Sequence, residues 1–384
     1  MLTLSCLPRS IYDGDTKQRK ISHLDIPRGI APAQVSVVRA GDTADALLRV
    51  EWADAERTTS VFPAQWLRRA CYSDQRRRQR ELSFDASRTA WEGNSFNPPS
   101  VSFAEAMGEC HSDDHSQRVP ESDSGMWEAM RELWRHGLLL VRDVPEIYSC
   151  PEPSAVPYQD ATEAFARRVG FVRRTLYGDM WSFGTFEGTD SGKDSAYSNI
   201  ALDLHTDGAY MRDPPALQLF TCMFASGDGG GISRYVDGLR VAERLREADP
   251  SAYDFFRKTP LAYHCQDEGS SLMASGPVFD GGSEGSLFER LRYNDYDRLT
   301  LSHLPPEEVV LFYEHRRLLS AIVTDPKMEL RLPLQPGTMA VIHNHRVMHG
   351  RTAFTGRRGL CGCYIGDDEF RSVLRQLVSL SLSL

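Results

Sequence analysis

Two histidines and an aspartate carry the clearest chemical signal in this chain. His205-Thr206-Asp207 sets an imidazole and a carboxylate two residues apart, and an extended strand turns such residues to the same side. A second histidine, His349, follows far downstream in Arg346-Val347-Met348-His349-Gly350-Arg351. Two imidazoles and one carboxylate on one face of a metal leave the other positions open, the ligand set that suits non-haem Fe(II) and its reaction with O2. Shortly after His349 comes Arg358, in Gly356-Arg357-Arg358-Gly359-Leu360-Cys361-Gly362-Cys363-Tyr364. Oxygenases of that kind hold the far carboxylate of 2-oxoglutarate with a buried cation, and arginine offers a fixed two-pronged donor for it. The same three ligands can also hold zinc. A zinc hydrolase and a metal-binding module without turnover therefore stay open at this point. His343 and His345 are rivals for the third ligand position.

The elements that position these residues read mainly as strands with flanking helices. Leu217 to Phe224 and Thr338 to Ile342 are apolar runs of strand length on either side of the motifs. Leu138 to Val141 is a short buried strand, preceded by Met126, Met130, Leu133 and Trp134 at helical spacing and a stop at Gly137. Ala161, Phe165 and Val169 mark a second helix ending at Gly170, and Leu311, Leu318 and Ile322 a third after Pro305-Pro306. His315 falls on that last stripe and reads as packed core. Strand parity puts Arg358, Leu360, Gly362 and Tyr364 on one face and Cys361 and Cys363 on the other. If Arg358 points inward, Tyr364 does too, Cys361 and Cys363 pack outward, and a Cys-x-Cys metal site is not expected.

At 384 residues and 41% hydrophobic, the length-based expectation is two domains. Leu48, Val50 and Trp52 alternate, and a second run follows at Thr58 to Phe62, a hairpin in a small β-rich N-terminal domain over 1–110. Residues 111–125 are polar and read as a linker, with His111 and His115 exposed, and 126–384 forms the second domain. A net charge of −9, from 44 basic and 53 acidic side chains, disfavours nucleic acid as a partner. The basic run Gln75 to Arg80 reads as a solvated face. No apolar run reaches the roughly 18 residues of a membrane span. Scattered cysteines suit reduced thiols, and the first twenty residues lack the acid-poor look of a transit peptide. On these grounds alone the cytoplasm is expected.

Four motifs occur in order: Tyr177-Gly178-Asp179-Met180-Trp181, His205-Thr206-Asp207, Asn344-His345-Arg346-Val347-Met348-His349-Gly350-Arg351 and Leu360-Cys361-Gly362-Cys363-Tyr364. Together they resemble the γ-butyrobetaine hydroxylase and trimethyllysine dioxygenase family, most strongly from about Trp127 onward. The resemblance implies a double-stranded β-helix (jelly roll) over 126–384, with Fe(II) on His205, Asp207 and His349. It also implies 2-oxoglutarate on Arg358 with help from Arg351, O2 as oxidant, ascorbate as a supporting reductant, and a homodimer. Mitochondrial placement belongs to the same set of implications. Relatives often carry a structural zinc near the N-terminus; Cys6 matches one ligand, but Ile11 and Glu56 stand where others belong, so zinc is not expected.

For the substrate, the resemblance implies that Tyr177, Trp181, Tyr197 and Tyr364 box a trimethylammonium group. A quaternary ammonium donates no hydrogen bond, so aromatic faces must bind it, at roughly 0.5–2 kcal/mol each. Gly208 departs from relatives with a bulky residue there, and Tyr210 compensates in part. Asn294 is similar to a substrate-contact asparagine. Asp194 suits an α-ammonium, which trimethyllysine has and γ-butyrobetaine lacks. Trimethyllysine hydroxylated at C3 is the expected reaction, with γ-butyrobetaine hydroxylation the alternative.

Overall fold

The computed structural model describes residues 28–39, 46–54, 57–69, 87–108, 124–147, 156–185, 198–267, 269–282 and 286–381, with a few isolated positions besides. The chain divides into two compact units, 1–84 and 85–384. The first holds an antiparallel sheet of β1 (Pro32–Arg39), β2 (Ala46–Trp52) and β3 (Thr59–Pro63). The expected hairpin is β2–β3, closed where the Trp52 amide donates to the Thr58 carbonyl at 2.9 Å. Val50 and Phe62 are buried on one face, with Trp52 and Trp66 against them.

The second unit begins earlier than the polar linker suggests. Its strand β4 (Ser100–Ser102) pairs in parallel with β5 (Leu138–Arg142) and so joins the larger sheet. Residues 109–123, which hold His111 and His115, lie outside the described residues. The remaining strands are β6 (Met180–Thr185), β7 (Leu202–His205), β8 (Leu217–Phe224), β9 (Ser233–Asp237), β10 (Leu261–Asp267), β11 (Ser270–Gly276), β12 (Phe279–Asp280), β13 (Arg290–Leu291), β14 (Leu330–Leu332), β15 (Met339–His343), β16 (Val347–Arg351) and β17 (Arg358–Ile365). Six of them form a sheet ordered β4-β5-β15-β8-β17-β6, and four form a second sheet, β14-β9-β16-β7. All pairings except β4–β5 are antiparallel.

The central strands β8, β15 and β17 are buried on both faces for nearly their whole length, which is why they read as continuous apolar runs rather than alternating ones. Helix Gln159–Val169 covers the outer face, where Thr162 Oγ1 lies 2.6 Å from Thr221 Oγ1 and 3.9 Å from Cys361 Sγ. Cys361 and Cys363 thus face the helix layer, as parity requires. Helix Pro306–Val323 forms where expected, but its buried stripe differs. Leu311 is 41% exposed, and Phe312 packs inward with Leu319, Ile322 and Val323. Adjacent helical residues lie about 100° apart, and Phe312 takes the inward position against Phe256 at 6.0 Å. His315 packs 5.4 Å from the Phe255 ring, with Nδ1 3.7 Å from Asp249.

One buried ion pair organises the connection that carries the third ligand. Arg346 and Asp237 are both fully buried and share two hydrogen bonds, 2.9 and 2.8 Å. Arg346 Nη1 donates to the Arg135 carbonyl at 2.8 Å, and Nη2 donates also to the Thr89 carbonyl at 2.6 Å. This satisfies the guanidinium in a site where an unpaired charge would cost several kcal/mol, and it pins the β15–β16 turn to β9.

Candidate active site

Register alone brings the two imidazoles together. His349 on β16 is the direct cross-strand partner of His205 on β7, and their ring centroids lie 4.5 Å apart. β7 ends at His205, so Asp207 projects from the turn that follows, where Gly208 takes a left-handed φ of +68°. The Asp207 Oδ1 atom lies 3.3 Å from His205 Nε2 and 3.5 Å from His349 Nε2. All three donor atoms fall within 4.8 Å of one another.

The surroundings leave those atoms facing each other. His205 Nδ1 is 2.7 Å from the Asp203 carbonyl and donates to it, which turns the Nε2 lone pair inward. Asp207 Oδ2 is occupied by Gln218 Nε2 and by the Tyr364 hydroxyl at 2.7 Å, so Oδ1 is left for a metal. Gln218 and Tyr364 are themselves cross-strand partners on β8 and β17. Asn344 holds the Asp207 backbone, accepting from its amide at 2.8 Å and donating to its carbonyl at 3.0 Å.

Burial favours a neutral Asp207, but His349 and the hydrogen bond from His205 outweigh it and hold the carboxyl well below the usual carboxylate range. Burial pushes His349 down to about 3, against the pull of Asp207. Burial also opposes charge on His205, but its bond to Asp207 raises it overall. Asp207 and His349 are thus held in the ionised and neutral forms that ligate a metal, and His205 joins them by giving up its Nε2 proton as a metal binds. Burial raises the Tyr364 phenol far up, so it remains a donor.

A cavity of about 370 Å³ opens beside these atoms, with His205, Asp207 and His349 in its wall. Arg358 lies in the same wall, 4% exposed, its Nε donating to the Gly231 carbonyl at 3.0 Å. Its Nη1 has no hydrogen-bond partner among the described residues, and burial lowers its pKa. A buried cation with an open donor fits a carboxylate guest. Arg351 also lines the cavity, but it donates to the carbonyls of Ser198 at 2.7 Å and Ile200 at 3.3 Å.

Of the expected aromatic box, Tyr177, Trp181 and Tyr364 line the cavity, joined by Tyr210. The hydroxyls of Tyr177 and Tyr210 are 3.3 Å apart, and the Trp181 and Tyr364 rings 5.4 Å. Asn294 is in the wall as well. Asp194 and Tyr197 lie outside the described residues, as do Cys6, Ile11 and Glu56. His343 and His345 are not near the ligands' shared point. His343 sits between the rings of Trp134 and Phe370, and His345 Nε2 is 3.0 Å from the Pro214 carbonyl. Burial drives His345 down to about 3. Both are core histidines, and His345 contributes by holding the segment that follows Asp207. Sequence reasoning missed Gln218, although one polar residue inside a buried apolar strand signals a partner nearby.

Gly362 explains how the indole fits. It pairs with Trp181 across β17–β6, and a Cβ there would lie 2.4 Å from the Trp181 ring and 1.9 Å from the Leu219 carbonyl. Gly362→Ala is expected to cost about 1–3 kcal/mol by overpacking and to displace the indole. Thermal unfolding and steady-state kinetics check this: the Tm falls and the KM for a cationic substrate rises, while that for the cosubstrate stays put. An unchanged substrate KM would remove Trp181 from the box.

Two imidazoles and a carboxylate beside the buried Arg358, in a cavity lined from both sheets, fit a metal-dependent oxygenase pocket. Residues 105–364 match the family model described as taurine catabolism dioxygenase TauD, TfdA family. The chain belongs to that family. It is 31% identical over 386 residues to the trimethyllysine dioxygenase of Meyerozyma guilliermondii, covering 97% of this chain and 88% of that protein. Homo sapiens trimethyllysine dioxygenase, mitochondrial, is 29% identical over 376 residues, 97% of this chain and 80% of the relative. The γ-butyrobetaine dioxygenase of a Pseudomonas species is 28% identical, covering 93% and 84%. Among solved structures, the non-haem iron oxygenase OrfP shares the fold at a TM-score of 0.50 and 16% identity, covering 72% of this chain and 96% of that one. No helix among the described residues is long and apolar enough to cross a membrane.

Proposed function

We propose that this chain is an Fe(II)- and 2-oxoglutarate-dependent oxygenase that hydroxylates N6,N6,N6-trimethyllysine at C3. The observation that carries the reading is the aromatic wall of Tyr177, Trp181, Tyr210 and Tyr364 adjoining the His205–Asp207–His349 cluster in one cavity. Similarity to named trimethyllysine dioxygenases over 97% of the chain supports it. The two facing sheets are read as a double-stranded β-helix over the second unit.

In this reading His205, Asp207 and His349 hold the iron, and Gln218 and Tyr364 keep Asp207 turned so that one oxygen serves as ligand. Arg358 takes the far carboxylate of 2-oxoglutarate. Once bound, iron, 2-oxoglutarate and O2 supply the oxidising power, and the cosubstrate leaves as succinate and CO2. The aromatic rings hold the trimethylammonium end without hydrogen bonds and fix which carbon faces the metal. Trp181, Phe183, Phe220 and Leu360 make that wall apolar and exclude water. Asp194 pairs with the substrate α-ammonium. Ascorbate support, mitochondrial placement and a homodimer belong to the same reading.

Succinate release tests it. With Fe(II), O2 and 2-oxoglutarate, trimethyllysine is expected to stimulate succinate formation above γ-butyrobetaine, lysine and taurine, and the product gains one oxygen atom. Stronger stimulation by γ-butyrobetaine or taurine would replace the substrate assignment.

A further inference from the structure

Two connections meet over Arg358. One joins β8 to β9 through Ser226-Gly227-Asp228-Gly229-Gly230-Gly231, and the other joins β16 to β17 through Thr352-Ala353-Phe354-Thr355-Gly356. Each gives the guanidinium one neighbour. The Gly231 carbonyl accepts from Arg358 Nε at 3.0 Å, and the Phe354 ring centroid lies 5.4 Å from the guanidinium carbon. Gly231, at a φ of +65°, passes so close that a Cβ there would stand 2.4 Å from Arg358 Cδ. Arg358 Nη1 is the buried donor without a partner among the described residues. Its aim therefore depends on how the two connections are held together.

A surface carboxylate holds them. Asp228 is exposed, yet both of its oxygens are engaged. Within its own connection, Oδ1 accepts from the Gly230 amide at 2.8 Å. Across to the other, Oδ2 accepts from the Thr355 amide at 2.8 Å and from the Thr355 hydroxyl at 2.6 Å. Ser226 Oγ lies against Asp228 Oδ1 and 2.9 Å from the Thr355 carbonyl, sharing its one proton between them. Behind this latch the backbones close up. The Gly231 amide donates to the Ala353 carbonyl at 3.1 Å, and a Cβ at Gly230 would lie 2.6 Å from that same oxygen. The bonds from Ser226 and Thr355, then the Gly230 amide, hold the Asp228 carboxyl well below the usual carboxylate range. Neither Asp228 nor Thr355 lines the cavity.

Resting on the reading of Arg358 as the arginine for 2-oxoglutarate, we infer that Asp228 is a positioning residue for cosubstrate selection. By latching the two connections it fixes how far the guanidinium stands from the metal ligands. A 2-oxo diacid must reach from the metal cluster to that cation, so a fixed separation accepts one chain length. An arginine whose cover is loose can follow a longer diacid; a latched one cannot. Fixing the guanidinium beforehand also spares its ordering cost when the cosubstrate arrives. Asp228 acts entirely through Gly231, Phe354 and Arg358, since it has no place in the wall itself.

Calorimetry on the Fe(II)-loaded protein without oxygen tests this, with 2-oxoglutarate and 2-oxoadipate, one methylene longer, as ligands. Wild type is expected to favour 2-oxoglutarate by about tenfold to a hundredfold, the usual effect of one misplaced methylene. Asp228→Ala should weaken 2-oxoglutarate about twofold to tenfold, the span of one ordinary hydrogen bond, while 2-oxoadipate holds or gains, so the preference shrinks. Asp228→Asn keeps an acceptor for Gly230 but meets the Thr355 amide with a donor, and serves the same test where Asp228→Ala fails to fold. Thr355→Val should act in the same direction but less, and Thr355→Ser should match wild type. A latch that is merely structural would lower the Tm and leave the preference alone, which overturns the inference, as does a wild type without preference. Arg358→Lys in the same assay keeps the two claims apart. If it weakens 2-oxoglutarate while the Asp228 variants keep the full preference, the inference falls and the reading of Arg358 stands. If Arg358→Lys binds 2-oxoglutarate as wild type does, both fall.

Discussion

His349→Ala is expected to lose Fe(II) binding and succinate formation together, and His205→Ala and Asp207→Ala to do the same. The three donor atoms share one point within 4.8 Å, and no fourth His, Cys, Asp or Glu among the described residues joins them there. Removing an outer partner of a metal ligand already costs roughly 10–100-fold in affinity, so removing a ligand should exceed a hundredfold. The contrast is with His343 and His345, six and four residues before His349 but packed into the core beside Trp134, Phe370 and Pro214. His345→Asn should lower the Tm and keep stoichiometric iron in the folded protein. Iron content by metal analysis, paired with thermal unfolding, separates the two kinds of loss. Loss of iron from a folded His345→Asn protein would show that the ligand set has been assigned wrongly.

The residues that do chemistry were easier to read in the sequence than the contacts that hold them. His205, Asp207, His349 and Arg358 stand in short motifs, and strand parity placed Tyr364 and Arg358 in the same cavity wall with Cys361 turned away. Buried strands such as β8 and β15 announced themselves as apolar runs. Strand β1 did not, because seven of its eight residues are exposed and give no alternation. The β10–β11 hairpin was equally silent, since residues such as Met273 face solvent at 68%. Contacts between distant segments leave no local trace. The Arg346–Asp237 pair spans 109 residues, and the bond from Tyr364 to Asp207 spans 157. Asn294 could be singled out by resemblance, but only the geometry shows its amide turned onto Asp297.

Arg358 separates cosubstrate from substrate. It begins β17, and its side chain runs under Gly231 and within 5.4 Å of the Phe354 ring before reaching the cavity. Gly231 leaves room for it: a Cβ at that position would lie 2.4 Å from Arg358 Cδ. One nitrogen is satisfied by the Gly231 carbonyl, and Nη1 has no partner among the described residues. Lysine would keep the charge but could not reproduce the planar fork. Losing one charge-assisted hydrogen bond costs about 1.5–3 kcal/mol, so Arg358→Lys should raise the 2-oxoglutarate KM roughly tenfold to a hundredfold. The KM for trimethyllysine should move little, because the aromatic wall is intact. Two neighbours serve as controls. Arg357 is exposed and lies over Phe224, 3.5 Å from its centroid, outside the cavity wall, so Arg357→Ala should leave both constants alone. Arg351 is in the wall but donates to the Ser198 and Ile200 carbonyls, so Arg351→Lys should disturb that segment and affect 2-oxoglutarate less than Arg358→Lys does. Steady-state kinetics with each cosubstrate and substrate varied in turn decide the matter. A 2-oxoglutarate KM that stays at the wild-type value in Arg358→Lys, or one that rises more in Arg351→Lys, transfers the carboxylate to Arg351.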